Sequence, residues 1–165
     1  MKKIVTFLFL VAGLIANAQE AFKGKGDTKF QIGANFQSGG TGLITGADFG
    51  IGENMSLGVT GSYILGASEI EGVKPEFKDK IDIRARFNAN LGNVINVDEK
   101  FDVYPGLSFG LKNFGAHLGA RYFFTDGFGL YTEMGFPIAR YNADTSGFKH
   151  LNNQFNLSFG MSFNL

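Results

Sequence analysis

In the stretch IDIRARFNANL (81–91), Asp82, Arg84 and Arg86 occupy alternate positions, and Asn88 and Asn90 continue the same row. Alternate residues of an extended chain share one face. Three charges are therefore aimed one way, while Ile81, Ile83, Ala85, Phe87, Ala89 and Leu91 are aimed the other. Charged residues of matching parity recur elsewhere: Asp48, Asp102, Arg121 and Glu133, with His117 and Tyr131 as hydrogen-bonding neighbours. The chemistry open to this set is ion pairing. Arg84, Arg86 and Arg121 supply the cations, and Asp48, Asp82, Asp102 and Glu133 the carboxylates. Charges gathered inside a narrow space must find such partners, because an unpaired buried charge is costly.

Candidates for catalysis are few. A hydrolase needs a histidine, a nucleophile and an acid to converge, and the two histidines, His117 and His150, show no such spacing. His117 has inward parity, and His150 follows Phe148-Lys149 at a loop–strand boundary. The absence of cysteine removes disulfides and thiolate metal sites. GKGD and GFGL are turn glycines without the strand–helix context of a phosphate loop. The expectation is a non-enzymatic protein with no cofactor and no metal. A narrow channel for ions or small solutes is the alternative function, and a lipid-processing enzyme is a second.

The elements that must position the charges all alternate with period two, the signature of strands. TKFQIGANFQ sets Phe30, Ile32, Ala34 and Phe36 against Gln31, Gly33, Asn35 and Gln37. Comparable segments are GLITGADFGI, MSLGVTGSYIL, IDIRARFNANL, FDVYPGLSFGL, AHLGARYFF and FGLYTEMGF, with Ile44 and Thr45 breaking the pattern in the first of these. The eighth is terminal: Phe155, Leu157, Phe159, Met161, Phe163 and Leu165 alternate with Asn156, Ser158, Gly160, Ser162 and Asn164. Turn chemistry separates them at 38–42, 52–54 and Asp126-Gly127. Longer connections run through 66–80, 92–100 and 142–150.

Alternation alone does not say which face is inside. A soluble barrel turns its large apolar side chains inward and carries long charged ones outside. Here the polar face is mostly Gly, Ser, Asn and Gln, and the apolar face, heavy in Phe and Leu, belongs to every strand. That pattern predicts an all-β fold: an eight-stranded antiparallel up-and-down transmembrane β-barrel, apolar face to lipid and polar interior. The register follows, since an arginine facing lipid near the midplane costs about 2–4 kcal/mol.

The N-terminus fits export. MKKIVTFLFLVAGLIANAQE joins two lysines, an apolar run and Ala16-Asn17-Ala18, the pattern of a signal peptide. The run is short of the roughly 20 residues of a spanning helix. Residues 1–18 are thus expected to be a signal peptide and 19–165 the barrel. With 15 basic and 15 acidic side chains and no basic block, the chain is not expected to bind nucleic acid.

FGAHLGARYFFTDGFGLYTEMGF (114–136) is similar to the penultimate hairpin of small OmpA/OmpX-like eight-stranded outer-membrane β-barrel proteins. VYPGLSFG (103–110) resembles the strand before it and LSFGMSF the closing strand. The resemblance implies a monomer in the outer membrane of a Gram-negative bacterium, with outer-membrane lipid and the barrel-assembly machinery as partners. It also implies that the terminal strand, through Phe159, Met161, Phe163 and Leu165, is the signal read during assembly. The resemblance speaks to fold and location rather than activity; the expected role is structural, supporting the envelope, with loops 66–80 and 142–150 available to a surface partner.

Overall fold

The computed structural model describes residues 20–142 and 146–165. The expected signal peptide, 1–18, lies outside them. Eight strands follow in chain order: β1 Thr28–Gln37, β2 Gly40–Gly50, β3 Met55–Ala67, β4 Ile81–Ala89, β5 Phe101–Gly110, β6 Asn113–Phe123, β7 Phe128–Arg140 and β8 Asn156–Asn164. Each pairs antiparallel with its chain neighbour, and β1 pairs with β8 to close the barrel. The topology is up-and-down, as the alternation predicts. Closure matters physically, because it leaves no row of unpaired backbone groups at an edge.

The connections hold more structure than turn chemistry suggests. α1, Phe77–Lys80, sits in the β3–β4 connection, α2, Gly92–Ile95, in the β4–β5 connection, and a 3₁₀ turn, Gly147–His150, in the β7–β8 connection. The β7–β8 connection also runs further than 142–150, because Leu151, Asn152 and Asn153 are buried before β8 begins. The ladders are unequal in length. β6–β7 runs from Asn113↔Arg140 to Phe123↔Gly129, whereas β4–β5 runs only from Arg84↔Gly110 to Asn88↔Gly106.

Outward positions form an apolar belt on every strand, including Phe49, Leu57, Ile83, Phe109, Met134 and Phe159. Aromatic rings gather at its two ends. Where β1 begins and β8 ends, here the lower end, Phe30, Phe163, Phe128, Phe124 and Tyr122 form one chain of ring contacts, with successive centroids 5.4–6.4 Å apart. At the upper end Phe109 meets Tyr141 at 5.8 Å and Tyr63 meets Phe77 at 5.7 Å. Ile44 and Thr45, which break the alternation, resolve in opposite directions. Ile44 points into the lumen, and Thr45 takes the belt position with its hydroxyl donating to the Gln31 carbonyl at 3.1 Å.

Candidate functional site

The core of this protein is its lumen, so the site is built from inward positions. In the lower half, Asp102 of β5 receives both Nε and Nη2 of Arg121 from β6, at 3.1 and 2.7 Å. Its other oxygen accepts the Gly92 amide at 2.9 Å, and Arg121 Nη2 also donates to Asn90 at 2.7 Å. Asp48 of β2 stands between two guanidiniums: Arg86 Nε at 3.2 Å and Arg121 Nη1 at 3.8 Å. Arg86 reaches Glu133 of β7 at 2.9 Å. The Tyr104 ring lies between the same two guanidiniums, 5.5 Å from Arg86 and 4.7 Å from Arg121. Carboxylate bridging and the ring face together offset the repulsion of two like charges held close.

Two glycines make this layer possible. A Cβ on Gly58 would strike the Asp48 carboxylate, and one on Gly119 would strike the Tyr104 ring. The inward row of β4 is thereby split between neighbours. Arg84 pairs with Asp82 on its own strand at 2.5 Å, while Arg86 pairs across the lumen. All seven charged residues read from parity therefore lie inside, and each has a partner of opposite sign. His117 is also inward, its Nε2 2.7 Å from the Asn88 side-chain oxygen. His150 lies at the rim, its Nδ1 2.7 Å from the Gly147 carbonyl oxygen.

Below this layer the lumen is closed by the segment preceding β1. Ala21 and Phe22 are buried, the Ala21 amide donates to the Glu99 carbonyl at 2.6 Å, and Asn93 donates to that of Phe22 at 3.0 Å. Lys29 forms an ion pair with Asp27, and its ammonium lies 5.4 Å from the Phe123 ring centroid. Sequence reading left this pair out, although Lys29 shares the parity of Gln31 and Gly33.

Above the layer the lumen is closed by amides. The carbonyl of Asn152 accepts from Arg84 at 2.8 Å and from Asn113 at 3.0 Å. Its backbone N–H donates to Gln37 at 2.9 Å, and its side chain donates to the Lys80 carbonyl at 3.0 Å. Lys112, in the β5–β6 turn, donates to the carbonyls of Asp79 and Leu151 at 2.6 and 3.1 Å. Burial pushes the Lys112 ammonium below its ordinary range, and Asp82 and Asp79 pull it back up. Between plug and ion layer lies a polar cavity of about 20 Å³ touched by Arg84, Arg86, His117, Glu133, Asn152 and Asn156. That is room for about one water molecule.

The arrangement closes a barrel at both ends around paired charges. Among the described residues no group of His, Cys, Asp or Glu could hold a metal ion, and no helix is long and apolar enough to cross a membrane.

A family model described as a family of unknown function (DUF6646) matches residues 11–165. No curated protein matches the sequence. Among solved structures, a chain from the de novo design of transmembrane beta-barrels shares 12% identity, covers 87% of this chain and 98% of its own, and gives a TM-score of 0.59. The solution NMR structure of de novo designed TMB2.3 shares 14% identity over 86% of this chain and 96% of its own, with a TM-score of 0.45. The first of these shows a shared fold: a closed, eight-stranded transmembrane-type barrel.

Proposed function

For this chain, which belongs to the family of unknown function DUF6646, we propose the role of an integral outer-membrane barrel of a Gram-negative envelope, non-enzymatic, monomeric and structural. One observation carries the reading: large apolar side chains face outward on all eight strands, bounded by aromatic rings at both ends, around an interior of paired charges. Water is the wrong solvent for that outer face, while a bilayer's hydrocarbon and its two interfaces match it. The filled lumen favours a structural part over a conducting one, since an eight-stranded barrel is only just wide enough for side chains to fill.

On this reading the N-terminal signal peptide is removed during export, and β8 is what the assembly machinery recognises. Phe163 lies within the lower aromatic chain, in contact with Phe30 and Phe128, so Phe163→Ala should lower the yield of folded barrel in cells. The test of the whole is fractionation combined with electrophoresis in detergent. The protein should be found with outer membranes and migrate differently before and after heating. Recovery in the soluble periplasm would sink the proposal.

A further inference from the structure

Thr45 and Thr132 stand in the apolar belt, and each hydroxyl is spent on a backbone carbonyl: Thr45 on Gln31 at 3.1 Å and Thr132 on Ser158 at 3.2 Å. Each borders a depression in the outer wall. The larger, about 370 Å³, lies across β1–β4. Strand register sets Ile32, Thr45, Gly61 and Ile83 in one row, with Leu43 and Tyr63 in the row above. The isoleucines are its side walls, Leu43 and Tyr63 its upper end, and Gly61 its floor.

Gly61 is unlike Gly58 and Gly119. A Cβ there meets nothing within 4 Å, and its backbone is not in the left-handed region. Neither packing nor conformation requires a glycine. What its small size does is keep the groove open.

We propose that this groove seats one acyl chain of a bilayer phospholipid, with the headgroup against α1. The inference rests on the membrane reading above. The walls present hydrocarbon and the Thr45 hydroxyl is already bonded, so a peptide strand laid there would leave its backbone groups without partners. A slot one residue wide that spans two rows fits an unbranched flexible chain. At its upper end Phe77 of α1 lies against Tyr63. There α1 and its cap carry Lys78 and Lys80 beside Glu76 and Asp79, with Lys78 2.9 Å from Glu76. A lip with both signs complements a headgroup that bears a phosphate and an amine together.

The test places wild type and Gly61→Leu in nanodiscs of mixed phosphatidylethanolamine and phosphatidylglycerol, releases them into mild detergent and reads retained lipid by native mass spectrometry. Wild type should keep one phosphatidylethanolamine per barrel and Gly61→Leu none, with heat-shifted migration unchanged in both. Thr45→Leu fills the same floor from the next strand and should lose the lipid too. Equal retention by wild type and variants, no retention by wild type, or preference for phosphatidylglycerol would overturn the proposal. So would a wild-type dimer that Gly61→Leu splits, since the occupant would then be a second copy. A barrel that inserts but keeps no lipid defeats the groove alone, whereas failure to insert defeats the membrane reading with it.

Discussion

The lower and upper halves of the lumen are closed by different means. Below, full charges do the work: Arg121, Asp102, Asp48, Arg86 and Lys29 are almost wholly buried, and Tyr104, Phe22 and Phe123 exclude water around them. Above, the seal is made mostly by amides, Gln37, Asn113, Asn152 and Asn153, joined by Lys112 and the Arg84–Asp82 pair, over a cavity of about 20 Å³, and the Arg84 side chain is 17% exposed. The lower layer is expensive to disturb, because each removed charge strands another in a low-dielectric space. The upper plug can lose a bond and find a water in its place.

The strongest way to break the contrast is Arg121→Ala. It abandons Asp102, weakens the hold on Asp48 and empties one face of the Tyr104 ring, and urea unfolding in detergent should show a loss of about 3–5 kcal/mol. Gly119→Ala should come next. The added methyl meets the Tyr104 ring and overpacks the same layer, at a cost of about 1–3 kcal/mol by the same assay. Arg84→Ala in the upper half should cost less, about 1.5 kcal/mol, since Arg84 is itself partly exposed beside the cavity and Asp82 still accepts the Leu111 amide at 3.2 Å. If Arg84→Ala proves as damaging as Arg121→Ala, the two halves are not distinct. The smallest stability effect belongs to Asn152→Gly, which keeps the left-handed backbone unstrained and the carbonyl that accepts from Arg84 and Asn113, and we expect about 1 kcal/mol. Its sharper readout is conductance across a planar bilayer. Wild type and Asn152→Gly should both be silent, because the ion layer still closes the lumen below the plug. Reproducible steps from the wild type would replace the sealed lumen with a pore.

The two halves also differ in how far they could be read from sequence. Parity is a local property, so the face occupied by Arg84, Arg86, Asp48 and Arg121 follows from the residues next to each. Which arginine meets which carboxylate does not, since Arg86 reaches Asp48 and Glu133 through strand register and barrel closure. Asn152 left no periodic signal at all. It lies in an irregular connection, and its partner Gln37 is 115 residues away. The segment before β1 is equally silent, because a short stretch with Lys23, Gly24 and Lys25 looks like a solvated leader until Phe22 is seen beneath it. Thr45 is instructive in the other direction. It blemishes the pattern because a hydroxyl is tolerated on the belt once a carbonyl is within reach.

The short β4–β5 ladder has a consequence for motion. A closed barrel has no terminal strand to fray, so any opening must begin by parting two neighbours along their length. The β4–β5 ladder runs only from Arg84↔Gly110 to Asn88↔Gly106, with one more backbone bond below it, from the Leu91 amide to the Val103 carbonyl at 2.9 Å. Beyond that stretch the Leu111 amide leans on the carboxylate of Asp82 at 3.2 Å instead of on a backbone carbonyl. Amide exchange should therefore run fastest along this line and slowest along β6–β7, so that the protein breathes through one slit rather than around its whole circumference.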